Sequence, residues 1–118
     1  MNKRHVFVTG ATGFIGRALC AKMLKNGWKV KGVFREGSAI DVLPIGVEGK
    51  CLDLVENCNF CDKDFVDVDA VVHLAARVHV MDDSAIDSLD AFRKVNVFGT
   101  ERLARMAAGA GIKRFVFI

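Results

Sequence analysis

Three glycines spaced three residues apart are the residues of this sequence that point most directly to chemistry. Gly10, Gly13 and Gly16 follow the apolar run 6–8 and precede a helical pattern, which predicts a strand, a turn and a helix. Gly10 can take the positive φ of a tight turn, Gly13 can let the backbone approach a pyrophosphate, and Gly16 can let the helix pack closely on the strand. The N–H groups and positive dipole end of that helix would face the phosphates. The stretch therefore predicts a dinucleotide-binding turn, with a merely flexible turn as the alternative.

Other ligand classes fit the sequence less well. A phosphate loop for nucleoside triphosphates requires Gly-Lys-Ser/Thr, whereas Gly16 is followed by Arg17 and Ala18. The net charge of +3 is mild, and no basic cluster with interleaved aromatic residues indicates a nucleic-acid surface. No apolar run reaches the roughly 18 residues of a membrane span, and none at the start reaches the roughly 7–15 residues of a signal-peptide core. We therefore expect a cytoplasmic protein with no nucleic-acid or membrane partner.

The four cysteines are better explained as reduced thiols than as metal ligands. A zinc site could recruit Cys51, Cys58 and Cys61, but a fourth ligand at normal spacing is missing. The nearest histidine, His73, lies within an apolar run that is predicted to be a buried strand. A cytoplasmic location would keep the thiols reduced. We therefore expect no bound metal.

Short apolar runs alternate with helical patterns along the chain, and hydrophobic residues make up 52% of it. This alternation predicts a parallel sheet that is covered on both faces. Strands are predicted at 4–8, 29–34, within 46–54, at 70–74 and at 114–118, and helices at 14–26 and 84–108. Asn26 and Gly27 are expected to end the first helix, 38–44 to form a turn or short helix, and 55–69 a short helix and a loop. Right-handed crossovers then give a Rossmann-type doubly wound α/β sheet of five strands in the order 3-2-1-4-5.

The long second helix is predicted to carry a polar residue on its apolar stripe. Spacings of three and four residues place the following residues on one face: Leu89, Phe92, Asn96, Thr100, Leu103 and Ala107. The corresponding stripe of the first helix comprises Ile15, Leu19, Met23 and Leu24. A buried amide must find hydrogen-bond partners, so Asn96 is expected either to hold a neighbouring loop or to serve a site.

Four motifs occur in order along the chain: Thr9-Gly10-x-x-Gly13-x-x-Gly16, Asp53-Leu54, His73-Leu74-Ala75-Ala76 and Asn96-Val97-x-Gly99-Thr100. Together they resemble the successive motifs of the extended short-chain dehydrogenases/reductases, and they are most similar to those of the nucleotide-sugar epimerase/dehydratase branch. The resemblance covers essentially the whole chain. It implies a Rossmann domain that binds NAD or NADP and, in a complete enzyme, hydride transfer between a carbon of a nucleotide sugar and the nicotinamide.

The resemblance also implies roles for single residues. Asp53 would accept a hydrogen bond from the adenine amino group and Leu54 would lie against the ring, unless both belong to an ordinary turn. Ala75 and Ala76 would leave room for the ribose and phosphate on the nicotinamide side, or simply fill a tight strand end. Asn96 would hold backbone or water next to the active site.

The cofactor-binding site expected from these motifs therefore extends over several segments of the chain. Its residues are Gly10, Thr12, Gly13, Phe14, Ile15, Gly16, Arg35, Asp53, Leu54, Leu74, Ala75, Ala76 and Asn96. His73 is expected to be a hydrogen-bonded core histidine, because no carboxylate lies at a suggestive spacing from it. No residue of this chain is expected to be catalytic.

Arg35 determines which cofactor we expect. Members of the family that prefer NAD usually end the second strand in an acidic residue, whereas here Phe34 ends it and Arg35 follows. A guanidinium can pair with a 2′-phosphate that a carboxylate would repel. Glu36 complicates this, because it would fall near the ribose if the strand were longer. We therefore expect NADP in preference to NAD, with a solvated loop charge as the alternative role of Arg35.

The acid/base pair of the family, a Tyr-x-x-x-Lys, is absent, and the sequence contains no tyrosine. The chain also stops at the end of its last predicted strand, where ligand chemistry of open α/β sheets is found. We therefore expect residues 1–118 to be a truncated dinucleotide-binding domain, inactive by itself, from a homodimeric nucleotide-sugar enzyme. The alternative is a non-catalytic module that senses or binds NAD(P).

Overall fold

Apolar runs from the beginning and the middle of the chain lie next to each other at the centre of a parallel sheet. The computed structural model describes residues 3–35, 37–38, 40–52, 61–75, 89 and 93–118. The strands are β1 (His5–Thr9), β2 (Lys29–Phe34), β3 (Glu48–Cys51), β4 (Ala70–His73) and β5 (Arg114–Phe117). Neighbouring strands are parallel, and their order is β3-β2-β1-β4-β5. The predicted Rossmann-type order is confirmed.

Among the described residues, one helix packs on each face of the sheet, whose strands direct successive side chains to opposite sides. Helix α1 (Phe14–Lys25) follows β1, and helix α2 (Thr100–Gly109) precedes β5. The cluster on the α2 side comprises Phe7, Val33, Leu52, Phe65, Val71, Leu103 and Ala107. The cluster on the α1 side comprises Val6, Val8, Ala11, Cys20, Val30, Ala70 and Val72. The predicted covering of both faces is therefore confirmed.

Helix α1 follows its prediction except at its first turn. Gly13 is the N-cap, Asn26 is the C-cap, and Gly27 takes a φ of +85° just beyond the helix end, as the sequence predicted. The predicted inward stripe does not extend to Ile15, which is 56% exposed. Leu19, Met23 and Leu24 pack against the core, whereas Ile15 lies in the turn next to the glycines.

The second predicted helix differs from its prediction more strongly. The residues Lys94–Gly99 form a π-helical turn that leads directly into α2, so the segment is not one regular α-helix. A π-helical turn contains more residues than an α-helical turn, and the spacing that defined the inward stripe is therefore not maintained across it. Leu103 and Ala107 are buried as expected, but Leu89 is 53% exposed. Phe92 lies outside the described residues.

The remaining connections are short in the described parts of the chain. A 3₁₀ turn at Ile40–Val42 lies between β2 and β3, and a second one at Asp62–Phe65 precedes β4. Three strands, β1, β4 and β5, begin or end one residue away from their predicted bounds. Neither helix in the described ranges combines the length and apolar character that crossing a membrane requires.

Candidate dinucleotide site

Several predicted site residues lie at the carboxyl ends of the strands, which in a parallel sheet are all on the same edge. Thr9, the last residue of β1, pairs in register with Val33 near the end of β2 and with His73 at the end of β4. The N–H group of Ala11 then donates to the carbonyl oxygen of Val33 at 3.1 Å. The glycine turn, Arg35 and the segment Leu74–Ala75 therefore share this edge.

The glycine turn is held by close backbone contacts that leave no room for side chains at two of its three glycines. Gly10 has a φ of +67°, and a Cβ atom there would lie 2.8 Å from the nitrogen of Ala75. A Cβ atom on Gly16 would lie 2.1 Å from the carbonyl oxygen of Gly10. The N–H group of Gly13 donates to that same oxygen at 3.1 Å. The positive φ predicted for Gly10 and the close packing predicted for Gly16 are both present.

The amino end of α1 is open to an anion. Its N-cap residue, Gly13, is exposed and makes no side-chain cap hydrogen bond, and the first turn contains no acidic residue. The first N–H groups of a helix have no partner within the helix, and they form its positive pole. The side chains of Phe14 and Ile15 are exposed beside this pole, and Thr12 is half-buried. The arrangement fits a phosphate approaching along bare backbone.

Thr9 joins the carboxyl end of β4 to the glycine turn. Its hydroxyl oxygen accepts hydrogen bonds from the N–H groups of Leu74 and Ala75, both at 3.1 Å. The same oxygen lies 2.6 Å from Nδ1 of His73. Thr9 is fully buried and His73 is 1% exposed. The hydroxyl therefore connects three groups of β4 and the loop that follows it.

His73 continues this connection toward the π-helical turn. Its Nε2 atom lies 2.9 Å from the hydroxyl oxygen of Thr100, which donates to the carbonyl oxygen of Asn96 at 3.0 Å. The rings of Phe115 and Phe117 lie 6.3 and 5.7 Å from the imidazole, measured between centroids. Burial lowers the pKa of His73 below its usual value, because desolvation disfavours the imidazolium. A core histidine that is hydrogen-bonded in place was predicted, and the structure shows one.

Thr9 and Thr100 are the site residues whose roles the sequence reasoning missed. From the sequence, Thr9 was placed at the start of the glycine motif, and Thr100 on the apolar stripe and at the end of the motif that begins with Asn96. No hydrogen bond was predicted for either hydroxyl. A signal for Thr100 was nevertheless present, since a threonine four residues after Asn96 can donate back to its carbonyl. No comparable local signal exists for Thr9, because its partners lie more than sixty residues away in sequence.

Arg35 is exposed directly after β2. Its carbonyl oxygen accepts a hydrogen bond from the N–H group of Ser38 at 3.1 Å, and Gly37 between them has a φ of +88°. Arg35 therefore lies, with its side chain exposed, at the sheet edge that carries the glycine turn. The predicted adenine-side residues Asp53 and Leu54 lie outside the described residues, as does Ala76 on the nicotinamide side. Asn96 is half-buried at the π-helical turn.

The cysteines do not form a metal site in the part of the chain that the structure describes. Within it, no group of three or more His, Cys, Asp or Glu side chains could hold a metal ion. Cys51 and Cys61 are exposed and belong to no disulfide, and Cys58 lies outside the described residues. Cys20 is buried, and its burial raises the pKa of the thiol to about 11.

Comparison with known proteins assigns the chain to a family. Residues 6–118 match the sequence model of the NAD-dependent epimerase/dehydratase family. The chain belongs to this family. As a member of the NAD-dependent epimerases and dehydratases, it is 36% identical over 116 residues to a UDP-glucose 4-epimerase of Vibrio cholerae, covering 98% of this chain and 34% of the relative.

Solved structures of the family have the same architecture. A short-chain dehydrogenase/reductase superfamily protein from Agrobacterium tumefaciens, with bound NAD, has 33% identity and a TM-score of 0.73 over 97% of this chain and 32% of its own. MoeE5 in complex with UDP-glucuronic acid and NAD has 30% identity and a TM-score of 0.78 over 96% of this chain and 36% of its own. This epimerase/dehydratase chain spans about a third of the length of the relatives that it matches.

Proposed function

We propose that this chain is the dinucleotide-binding part of a nucleotide-sugar epimerase, dehydratase or reductase. The observation that carries the proposal is the glycine turn from Gly10 to Gly16, which leads into a helix whose amino end has neither a side-chain cap nor an acidic residue. Membership of an NAD-dependent family supports it. The nucleotide-sugar class is supported by relatives named as a UDP-glucose 4-epimerase and as a complex with UDP-glucuronic acid and NAD.

The residues at the sheet edge fit a bound dinucleotide. The backbone at Gly13 and the amino end of α1 would hold the pyrophosphate, because Gly13 has no Cβ atom and the helix pole is positive. Asp53 and Leu54 would contact the adenine, and Ala75 and Ala76 would face the ribose on the nicotinamide side. When bound, the nicotinamide supplies hydride transfer to or from a sugar carbon.

Other residues of the site would position the reacting groups or exclude water from the bound cofactor. Asn96 would hold backbone or water beside the reacting groups from the π-helical turn. Phe14 and Ile15, whose side chains are exposed beside the helix pole, would cover the pyrophosphate and limit the access of water to it. In enzymes that this sequence resembles, a tyrosine transfers the proton, and this sequence contains no tyrosine. We therefore propose no proton-transfer role for the residues of this chain.

Arg35 is proposed to favour NADP over NAD. Its exposed guanidinium follows β2 at the edge that carries the glycine turn, and it can form charge-assisted hydrogen bonds with a 2′-phosphate. NAD has only a hydroxyl at this position, so it gives the guanidinium no charge to pair with. The preference therefore depends on one side chain and can be tested separately from dinucleotide binding itself.

Calorimetric titration of the full chain with NAD and NADP tests both parts of the proposal. We expect saturable binding of both, tighter for NADP, and Arg35→Gln should weaken NADP binding about tenfold while changing NAD binding by less than about twofold. Lys113→Gln is the matched control, because it removes the same charge from an exposed residue at the amino end of β5, on the opposite edge of the sheet. Absence of binding by either cofactor would overturn the proposed function. Equal losses for both cofactors in Arg35→Gln would overturn the preference alone.

A further inference from the structure

The hydrogen bonds around Thr9 determine which nitrogen of His73 carries the proton. A hydroxyl group has one hydrogen and two acceptor lone pairs. The Thr9 oxygen already accepts from two backbone N–H groups, those of Leu74 and Ala75. Its own hydrogen is therefore left for the remaining partner, Nδ1 of His73 at 2.6 Å. Nδ1 consequently accepts and is not protonated.

The other side of the imidazole agrees with this assignment. A neutral imidazole with a bare Nδ1 carries its proton on Nε2, which can then donate to the Thr100 oxygen at 2.9 Å. The Thr100 hydroxyl is free to accept this bond because its hydrogen is donated to the carbonyl of Asn96 at 3.0 Å. Every hydrogen bond in the series thus runs in one direction, from the amides of Leu74 and Ala75 to the carbonyl of Asn96.

We propose that His73 is a positioning residue of the dinucleotide site, which acts as the neutral Nε2–H tautomer and couples the glycine turn to the π-helical turn. The inference rests on the proposed function. Gly10 lies against Ala75, two residues after β4, so closely that a Cβ atom on it would be 2.8 Å from the nitrogen of Ala75. Thr100 is the first residue of α2 and Asn96 lies in the π-helical turn before it. His73 contacts Thr9, at the start of the glycine turn, and Thr100, at the end of the π-helical turn.

A purely space-filling histidine is the competing explanation. It would pack between β4 and α2, with Phe115 and Phe117 near its ring, and would need no defined tautomer. It would also tolerate the loss of the Thr100 hydroxyl if the volume were kept. The two explanations therefore differ in the position of one proton and in the response to an isosteric change at Thr100.

Nitrogen NMR of the imidazoles in the unmodified chain gives the first test. With ¹⁵N-labelled histidine near neutral pH, we expect Nε2 of His73 to show a directly bonded proton and Nδ1 to show none. The resonance is assigned by its loss in His73→Gln. A proton on Nδ1, or on both nitrogens, would overturn the inference without any reference to cofactor binding.

Cofactor affinity of two Thr100 variants gives the second test. Thr100→Val keeps the volume but removes the hydroxyl, and we expect its dinucleotide affinity to fall about fivefold, the loss expected from one neutral hydrogen bond. Thr100→Ser restores the hydroxyl and should bind within about twofold of the unmodified chain. Equal affinity in all three proteins, with unchanged circular dichroism, would overturn the inference. Failure of the unmodified chain to bind dinucleotide would instead remove the proposed function, on which the inference rests.

Discussion

The hydroxyl of Thr9 lies 2.6 Å from Nδ1 of His73, although sixty-four positions separate the two residues in the chain. Both side chains are at least 99% buried, and they belong to adjacent parallel strands in which they are register partners. The contact lies at the end of β1, directly before the glycine turn. A single hydroxyl thus links the end of β1, where the glycine turn begins, to His73 and to the amides of Leu74 and Ala75.

Removing this hydroxyl should destabilise the chain. Thr9→Val keeps the shape of the side chain but leaves the amides of Leu74 and Ala75 and one ring nitrogen of His73 without their partner. We expect the free energy of unfolding to fall by roughly 2–4 kcal/mol, because unsatisfied buried polar groups keep their full desolvation cost. Urea denaturation measures the change. Thr9→Ser, which retains the hydroxyl, should lose no more than about 1 kcal/mol, and equal losses in the two variants would contradict the argument.

His73 should make stability depend on pH below neutrality. Burial lowers its pKa in the folded chain, whereas the unfolded chain titrates near the ordinary value of 6.5. The unfolded chain therefore binds more protons in this range, so stability is complete above about pH 6.5 and falls as the pH decreases toward the lowered pKa. The slope approaches about 1.4 kcal/mol per pH unit. Urea denaturation of the unmodified chain and His73→Gln between about pH 5 and 8 should show the smaller dependence in the variant; parallel curves would exclude His73 as the cause.

Alanine at two glycines of the same turn should affect different quantities, stability at Gly16 and dinucleotide affinity at Gly13. Gly16→Ala places a Cβ atom 2.1 Å from the carbonyl oxygen of Gly10 and should destabilise the chain by at least roughly 2 kcal/mol. Gly13 has an ordinary φ of −73°, and a Cβ atom there would lie 3.3 Å from the carbonyl oxygen of Gly10, a contact that a small shift relieves. Gly13→Ala should therefore lose less stability than Gly16→Ala, yet weaken dinucleotide binding about tenfold by covering bare backbone. Thermal unfolding and calorimetric titration measure the two effects. Gly109→Ala, with no atom within 4 Å of the new methyl, is the control; it should leave binding unchanged and raise the free energy of unfolding by no more than about 1 kcal/mol.

The chain is expected to self-associate, in keeping with the homodimer predicted from the sequence. Strand β5 is the last strand of the described sheet on its side, and Val116 on it is 45% exposed. An apolar edge strand can pair with a second copy, and a charge placed on it opposes such pairing. Light scattering coupled to size exclusion should show a mass that rises with concentration, and Val116→Lys should lower it. Val66→Lys changes a residue that is 62% exposed but lies outside the strands, and it should have no effect; a concentrated monomer would contradict the prediction.

The parts of the fold that sequence predicted well are those governed by local chemistry. The spacing of Gly10, Gly13 and Gly16 between a strand and a helix allows the backbone of the turn few conformations. Each glycine lies close to atoms of the same turn or of the segment after β4. Strand β2 was predicted with its bounds Lys29–Phe34, since Gly27 ends the helix before it and the turn at Gly37 follows it. The strand order then followed from the handedness of the crossovers.

The parts that the sequence did not reveal depend on contacts between distant segments. Nothing in the sequence of Lys94–Gly99 distinguishes a π-helical turn from an α-helical one, so a regular period was expected across it. The Thr9–His73–Thr100 series requires three segments to meet, and no spacing within any one of them indicates it. The roles of Asp53, Leu54 and Ala76 lie outside the described residues and stay predictions.

The one-way series of hydrogen bonds also has a consequence for how related sequences can diverge. A lineage that replaces His73 by an aliphatic residue loses the need for a hydroxyl at position 100, which can then drift to valine or alanine. Position 9 remains under selection in that lineage, because its oxygen still accepts from the two amides after β4. Substitutions at 73 and 100 should therefore covary among homologues, while threonine or serine persists at 9 regardless of either.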